Sequence, residues 1–214
     1  MLLFLFHFLV KIHPMSDHQH QPINGYILAG GKSSRMGQDK GLMLFNQKPL
    51  VQYVLQSLQT VVNKVIIVAN NPAYEQFGCE VIEDNRKEMG PAGGIFTAFN
   101  HSATEWNFIV GCDMPFISAP AIEYILHYPS KSQIILPLFQ GKPQPLFGKY
   151  ATSCKEQWGL LLEQNILKLQ SLVTHFQTDT INVDPHPLFQ APFFTNINTG
   201  NDVENALKLI NNGN

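Results

Sequence analysis

Arginine is nearly absent from this 214-residue chain, occurring only as Arg35 and Arg86. The formal net charge is −2, so the chain lacks the basic surplus of a nucleic-acid-binding surface. Cysteine is also scarce. Cys79, Cys112 and Cys154 are scattered, odd in number and without a CxxC pair. That pattern gives neither a disulfide framework nor a zinc signature, and it fits a reduced, cytoplasmic setting. No apolar run reaches the roughly 20 residues that a bilayer span takes, because MLLFLFHFLV at 1–10 is too short. No cation precedes that run and no clear small-residue cleavage site follows it, which makes a poor secretory signal. There is no internal repeat and no linker. Nor is there a Ser-His-Asp arrangement or a reactive Cys-His pair, so covalent catalysis is not indicated.

The length suits one α/β domain with a sizeable core. Residues 1–22 read as an N-terminal tail and 23–214 as the domain. Met15 offers a second start just before Ser16-Asp17-His18-Gln19-His20. Residues 1–14 are then an upstream extension or a loose tail, with a membrane-surface anchor as the alternative. His18 and His20 could bind a metal, or simply belong to a polar tail.

The domain is organised around Gly25-Tyr26-Ile27-Leu28-Ala29-Gly30-Gly31-Lys32-Ser33-Ser34-Arg35-Met36-Gly37-Gln38-Asp39-Lys40. Its apolar start reads as a buried strand running into a glycine-rich, cationic loop. Glycines let backbone N–H groups approach oxygens closely, and Lys32, Arg35 and Lys40 supply charge. The loop is not a Walker A motif, because Tyr26 stands where its first glycine belongs. It is not a dinucleotide fingerprint either, since Gly30 and Gly31 are adjacent and the next glycine is Gly37.

The pattern Leu28-Ala29-Gly30-Gly31-x-Ser33-x-Arg35-Met36-Gly37-x-Asp39-Lys40 resembles the signature loop of nucleotidyltransferases with a Rossmann-like fold. Its Ala-Gly-Gly and Gly-x-Asp-Lys forms resemble the molybdenum cofactor guanylyltransferase (MobA-type) branch, whereas cytidylyl-transferring relatives more usually carry Ala-Ala-Gly. The resemblance extends over roughly residues 24–210.

Further along, Leu42-Met43-Leu44-Phe45 is a short apolar run, followed by a turn. Apolar spacing predicts a helix over roughly 49–61, with Pro49 in its first turn. Val65-Ile66-Ile67-Val68-Ala69 reads as a strand of a parallel sheet buried on both faces, which makes 24–69 a βαβ unit. Open α/β sheets bind ligands at the C-terminal edge of such units. Cys79-Glu80-Val81-Ile82 is a third short strand that delivers Asp84 to the same edge, as a ligand contact or as a solvated turn acid. Gly90-Pro91-Ala92-Gly93-Gly94 leads into a helix whose N-terminus offers donors to an anion. It resembles the family's Gly-Pro-Leu-Ala-Gly segment.

Trp106-Asn107-Phe108-Ile109-Val110-Gly111-Cys112 is the fourth strand, and it ends at Asp113-Met114-Pro115. A carboxylate there is placed to hold Mg²⁺ beside phosphates. The competing role is a helix cap, although Ser118 is the better cap for a helix over about 119–127. The resemblance implies the metal role, since Cys-Asp-Met-Pro matches the family's Asp-x-Pro motif. Residues 133–138 and 145–150 read as a β-ribbon over the site, with Gln144-Pro145 resembling the family's acceptor-side segment or forming a simple turn. Residues 151–176 read as helical core, and Thr180-Ile181-Asn182-Val183 as a late strand. Asn196-Ile197-Asn198-Thr199 matches the family's Asn-x-Asn-Thr-Pro motif except for Gly200, and Asn198 and Thr199 could equally cap the helix expected over 202–211. The resemblance carries a metal-proximal role onto Asn196.

The expected architecture is one three-layer α/β/α domain, mostly parallel, with a β-ribbon. The resemblance implies transfer of GMP from GTP to molybdenum–molybdopterin with Mg²⁺ as cofactor. Leu28, Ala29, Gly30, Gly31, Lys40, Asn70, Asp84 and Asp113 would bind the nucleotide. Arg35, Lys40 and Asp113 would act in catalysis, and Asp113 would hold the metal. Proteins that deliver molybdopterin or mature molybdoenzymes would be partners. Relatives often carry a nucleotide-contacting asparagine where this chain has Val68, with Asn70 two residues on, which bears on guanine selectivity. The alternatives are a relative using CTP or another phosphorylated acceptor, and a non-catalytic GTP-binding partner of molybdoenzyme maturation. A dinucleotide-dependent oxidoreductase lacks its fingerprint here.

Overall fold

The structure is a computed structural model that describes residues 21–30, 39–86, 88–190, 192–197, 199 and 202–206. In chain order the elements are β1 (Ile23–Leu28), a hairpin of β2 (Leu44–Phe45) and β3 (Lys48–Pro49), α1 (Leu50–Leu58), β4 (Lys64–Val68) and β5 (Glu80–Ile82). Then come α2 (Gly90–His101), β6 (Trp106–Gly111), α3 (Ala119–Leu126), β7 (Ile134–Phe139), β8 (Lys142–Pro143) and β9 (Phe147–Ala151). The chain continues through α4 (Lys155–Glu163), α5 (Leu169–Leu172) and β10 (Thr178–Asn182), and residues 202–206 are helical.

An eight-stranded sheet runs in the order β5-β4-β1-β6-β9-β7-β10, with β8 paired to β7. The β1–β4, β1–β6, β4–β5 and β7–β10 pairs are parallel, and β9 is antiparallel to both its neighbours.

Side chains alternate across a strand, and this sheet sends the two sets into two separate cores. Ile27, Val65, Ile67, Phe108 and Val110 pack with residues of α1 and α3. Tyr26, Leu28, Ile66, Val68 and Ile109 pack with residues of α2 and α4. Both faces of the central strands are therefore apolar, which is why these strands read as continuous hydrophobic runs. A third, smaller cluster of Phe45, Leu50, Ile197 and Ala206 ties the β2–β3 hairpin and the start of α1 to the C-terminal segment.

The three-layer, mostly parallel fold is the expected one, with two corrections. Residues 133–138 and 145–150 do pair antiparallel, as β7 and β9, but inside the main sheet rather than as a separate ribbon over the site. β9 inserts into the main sheet between β6 and β7, and the true ribbon is the short β7–β8 hairpin turning at Gln140 and Gly141. The turn between the two segments predicts their pairing with each other, but not the second partner, β6, that β9 also takes. The second correction concerns 151–176, which is not one helical stretch. α4 stops at Glu163, and Asn165 takes a left-handed φ of 60°. Its N–H donates to Leu162 O and that of Ile166 to Leu161 O, the Schellman pattern that terminates a helix.

Candidate active site

Hydrogen-bond register sets the site. Leu28 of β1 pairs with Val68 of β4 and with Gly111 of β6, and Val68 pairs with Ile82 of β5. These four residues form one row across the sheet. Gly30, Asn70, Asp84 and Asp113 each lie two residues beyond that row, so four of the expected site residues emerge together at one edge. The ladder continues partway toward them, through Ala29 N to Val68 O (3.0 Å), Ala69 N to Ile82 O (2.9 Å) and Cys112 N to Leu28 O (3.1 Å).

Asp84 is not a solvated turn acid, being only 8 % exposed. Its Oδ1 accepts from the Thr97 hydroxyl of α2 at 2.9 Å and from Arg86 N at 3.0 Å. The amide oxygen of Asn70 accepts from Asp84 N at 2.9 Å. Val68, meanwhile, is a core residue. Asn70 is thus the asparagine that the second central strand presents at the edge, and it is bonded to the carboxylate-bearing segment.

Asp113 leaves β6 with its side chain 16 % exposed, and its Oδ2 lies 3.5 Å from Lys40 Nζ, which is 29 % exposed. Ser118 occupies the cap position of α3, so the Asp113 carboxylate is not consumed there. Its backbone carbonyl accepts from Ile197 N at 2.9 Å, which brings the exposed Asn196 beside the acid. A Cβ on Gly111 would meet Asp113 Oδ1 at 2.8 Å. Glycine at 111 is what lets the carboxylate occupy its position.

Lys40 is held from a direction that the sequence pattern missed. Asp39 caps the 3-10 turn Lys40–Leu42 by accepting from Gly41 N at 3.3 Å. The buried Tyr74 hydroxyl donates to Asp39 Oδ1, and Asn71 Nδ2 donates to Asp39 Oδ2 at 3.4 Å. Burial above all, then the adjacent Cys112 and Asp39, raises the Tyr74 pKa, so Tyr74 stays protonated and donating. The available signal was an aromatic shortly after Asn71-Pro72, a pattern that reads equally well as core. Cys112 is no nucleophile, because burial and then the neighbouring Asp113 and Asp39 carboxylates push its thiol up. Burial likewise pushes the Cys154 thiol up to about 12.

The second glycine cluster forms the first turns of α2 itself, starting at Gly90, rather than a loop before it. Gly93 is required because a Cβ there would meet Arg86 O at 2.7 Å. Gly30 differs, since its Cβ would have only Val68 O, at 3.8 Å, within reach. Nothing described in the protein fills the space beside Gly30, as close approach of a ligand to backbone demands.

Gly31, Lys32, Ser33, Arg35, Asn198, Gly200 and the expected helix beyond residue 206 lie outside the described residues, as do His18 and His20. Among the described residues, no three of His, Cys, Asp and Glu gather as a metal cage. The donor set at the edge nonetheless suits Mg²⁺, which commonly takes one or two carboxylates and fills its shell with phosphate oxygens and water. No helix among the described residues is long and apolar enough to cross a membrane.

A Rossmann-like sheet with glycine turns, an amide and two carboxylates at its C-terminal edge defines a nucleotide-handling α/β domain. The family model for the MobA-like NTP transferase domain matches residues 25–179. A protein of Flavobacterium johnsoniae named probable molybdenum cofactor guanylyltransferase is 31% identical over 184 residues, covering 86% of this chain and 95% of the relative. A protein of Clostridium perfringens with the same name is 33% identical over 190 residues, covering 85% and 94%. The crystal structure of molybdopterin-guanine dinucleotide biosynthesis protein A from Archaeoglobus fulgidus superposes with a TM-score of 0.74 at 22% identity, covering 88% of this chain and 99% of that one. The chain belongs to the MobA-like NTP transferase family, and it is a nucleotidyltransferase.

Proposed function

We propose that this enzyme transfers GMP from GTP to the phosphate of molybdenum–molybdopterin, giving the guanine dinucleotide form of the cofactor and pyrophosphate. The observation that carries the reading is the shared register of Gly30, Asn70, Asp84 and Asp113 at one sheet edge, with Lys40 beside Asp113. The names of the relatives supply the substrates. Residues 23–214 act as one catalytic domain. Its setting is the cytoplasm, beside the proteins that deliver molybdopterin and mature molybdoenzymes; the scattered free cysteines support that setting.

In this reading an acceptor phosphate oxygen attacks the α-phosphorus of GTP in line. The bond from that phosphorus to the bridging oxygen breaks, and pyrophosphate leaves with the electron pair. No covalent enzyme intermediate is needed, so catalysis rests on positioning and charge neutralisation. The backbone of Leu28, Ala29, Gly30 and Gly31 contacts the base and ribose. Asn70 and Asp84 complete the nucleoside side of the site. Lys40 and Arg35 neutralise the phosphates as pyrophosphate departs. Asp113 holds Mg²⁺, which when bound offsets the negative charge of the triphosphate.

Thermal unfolding with GTP, CTP, ATP and UTP, each with and without Mg²⁺, tests the nucleotide half of this reading. A ligand that binds only the folded state at about a hundredfold excess over Kd adds about 2.7 kcal/mol of stability. The expected result is a Mg²⁺-dependent shift with GTP. A shift with CTP in place of GTP would overturn the substrate, and no shift with any nucleotide would overturn the site.

A further inference from the structure

The Tyr74 hydroxyl faces more than Asp39. The same oxygen lies 3.5 Å from the carbonyl oxygen of Ala29. One buried group therefore stands between the residues that flank the glycine-rich stretch 30–38, Ala29 before it and Asp39 after it. The two flanks are held differently. Ala29 N donates to Val68 O at 3.0 Å, so the sheet fixes that side. Asp39 lies in no strand. Its carboxylate is met by the Tyr74 hydroxyl and by Asn71 Nδ2 at 3.4 Å, both from the connection between β4 and β5. Lys40 is the next residue, so a shift of Asp39 is a shift of Lys40.

The connection is shaped to present Tyr74. Asn71 Oδ1 accepts from Ala73 N at 3.0 Å and starts the 3-10 turn Pro72–Phe77, which Gly78 ends at a φ of 70°. The turn sends Tyr74 inward to full burial, against Phe77 with ring centroids 6.1 Å apart. Gly41 leaves the hydroxyl its room, because a Cβ there would collide with it. A ring that only filled the core would need no such gap. Burying a hydroxyl is costly unless it is bonded, and this one is directed at the flanks of the glycine-rich stretch. The neighbouring Asn70 accepts from Asp84 N at 2.9 Å. Two adjacent asparagines of one short connection thus reach the nucleoside side of the site through Asp84 and its phosphate side through Asp39.

We propose that Tyr74 is a positioning residue for nucleotidyl transfer: its hydroxyl ties Asp39 to the exit of β1 and thereby sets where Lys40 stands beside Asp113. This role rests on the one given to Lys40 above. Tyr74 is fully buried and acts through the lysine rather than on the substrates. A preorganised cation lowers the barrier of the transfer step, so the hydroxyl contributes to kcat more than to ground-state binding of GTP.

The test uses the full chain with GTP, Mg²⁺ and molybdenum–molybdopterin, and measures kcat and the KM for GTP by pyrophosphate release, together with the Tm. Tyr74→Phe removes the hydroxyl and keeps the ring. It is expected to lower kcat about tenfold, the scale of a misplaced catalytic group, with the KM for GTP within about threefold. Phe77→Leu trims the ring that Tyr74 packs on and serves as the packing control. It is expected to lower the Tm while kcat stays within about twofold. Tyr74→Phe added to Lys40→Ala is expected to change kcat by less than about twofold, since contacts that act through one residue are not additive. A wild-type kcat in Tyr74→Phe, an equal loss of kcat in Phe77→Leu, or the same tenfold loss with and without Lys40 would overturn the positioning role and leave the Lys40 assignment intact. A wild-type kcat in Lys40→Ala would instead overturn the assignment beneath it, and this role with it.

Discussion

A methyl group on Gly111 would lie 2.8 Å from Oδ1 of Asp113, closer than real side-chain carbons sit to such atoms. The acid proposed to hold the metal therefore depends on a residue with no side chain two positions earlier. Two substitutions separate charge from position. Asp113→Asn removes the charge and is expected to lower kcat about a hundredfold or more, the scale on which transition-state charge stabilisation is lost. Gly111→Ala keeps the charge but displaces it, and is expected to lower kcat about tenfold or more, since small misplacements are costly in positioned catalysis. Steady-state turnover at saturating Mg²⁺ checks both, and wild-type turnover in Asp113→Asn would remove the metal role from that residue. At this scale the sequence was informative where an acid follows an apolar run, as Asp84 and Asp113 do. It was silent on Tyr74, and it marked Asp39 only as a member of the Gly-x-Asp-Lys motif, without a role. A buried tyrosine that positions a loop and one that fills a core look alike until the hydroxyl's partner is seen.

The helix break at Asn165 shows how much a single turn decides at the scale of elements. Asn165 holds a φ of 60°, a region that asparagine and glycine tolerate and β-branched residues do not. Asn165→Val is expected to cost about 1–2 kcal/mol, which lowers the Tm by roughly 2–8 °C in a chain of this size. Asn165→Gly is expected to keep the wild-type Tm within about 2 °C, because glycine adopts this conformation freely. Calorimetry or a thermal melt reads both. A wild-type Tm in Asn165→Val would mean that the turn is not built as described. The leucines and isoleucines on both sides of this break continue a helical apolar pattern, so periodicity alone carries the helix straight through it. The strands β1, β4 and β6 were legible for the opposite reason. Each is a continuous apolar run buried on both faces, bounded by glycine, asparagine or aspartate.

Across the whole molecule, two apolar layers clamp the sheet and leave its C-terminal strand edge for chemistry. The hairpin at 44–49 and the segment around Ile197 are tied together by the small third cluster, which holds Asn196 near Asp113. The class of fold followed from the alternation of strands and helices. The strand order did not. The antiparallel entry of β9 between β6 and β7 adds to the local β7–β9 pairing a long-range pairing with β6 that no local pattern encodes, and that entry is what brings Leu146 alongside Gly111, two residues before Asp113.

The most direct test of the account follows two labels through one reaction. Purified full-length protein is given molybdenum–molybdopterin, Mg²⁺ and GTP labelled at either the α- or the γ-phosphorus. The α-label is expected in the dinucleotide form of the cofactor and the γ-label in pyrophosphate, in equal amounts. Label released as free GDP and phosphate, or transfer that occurs with CTP but not with GTP, would contradict it.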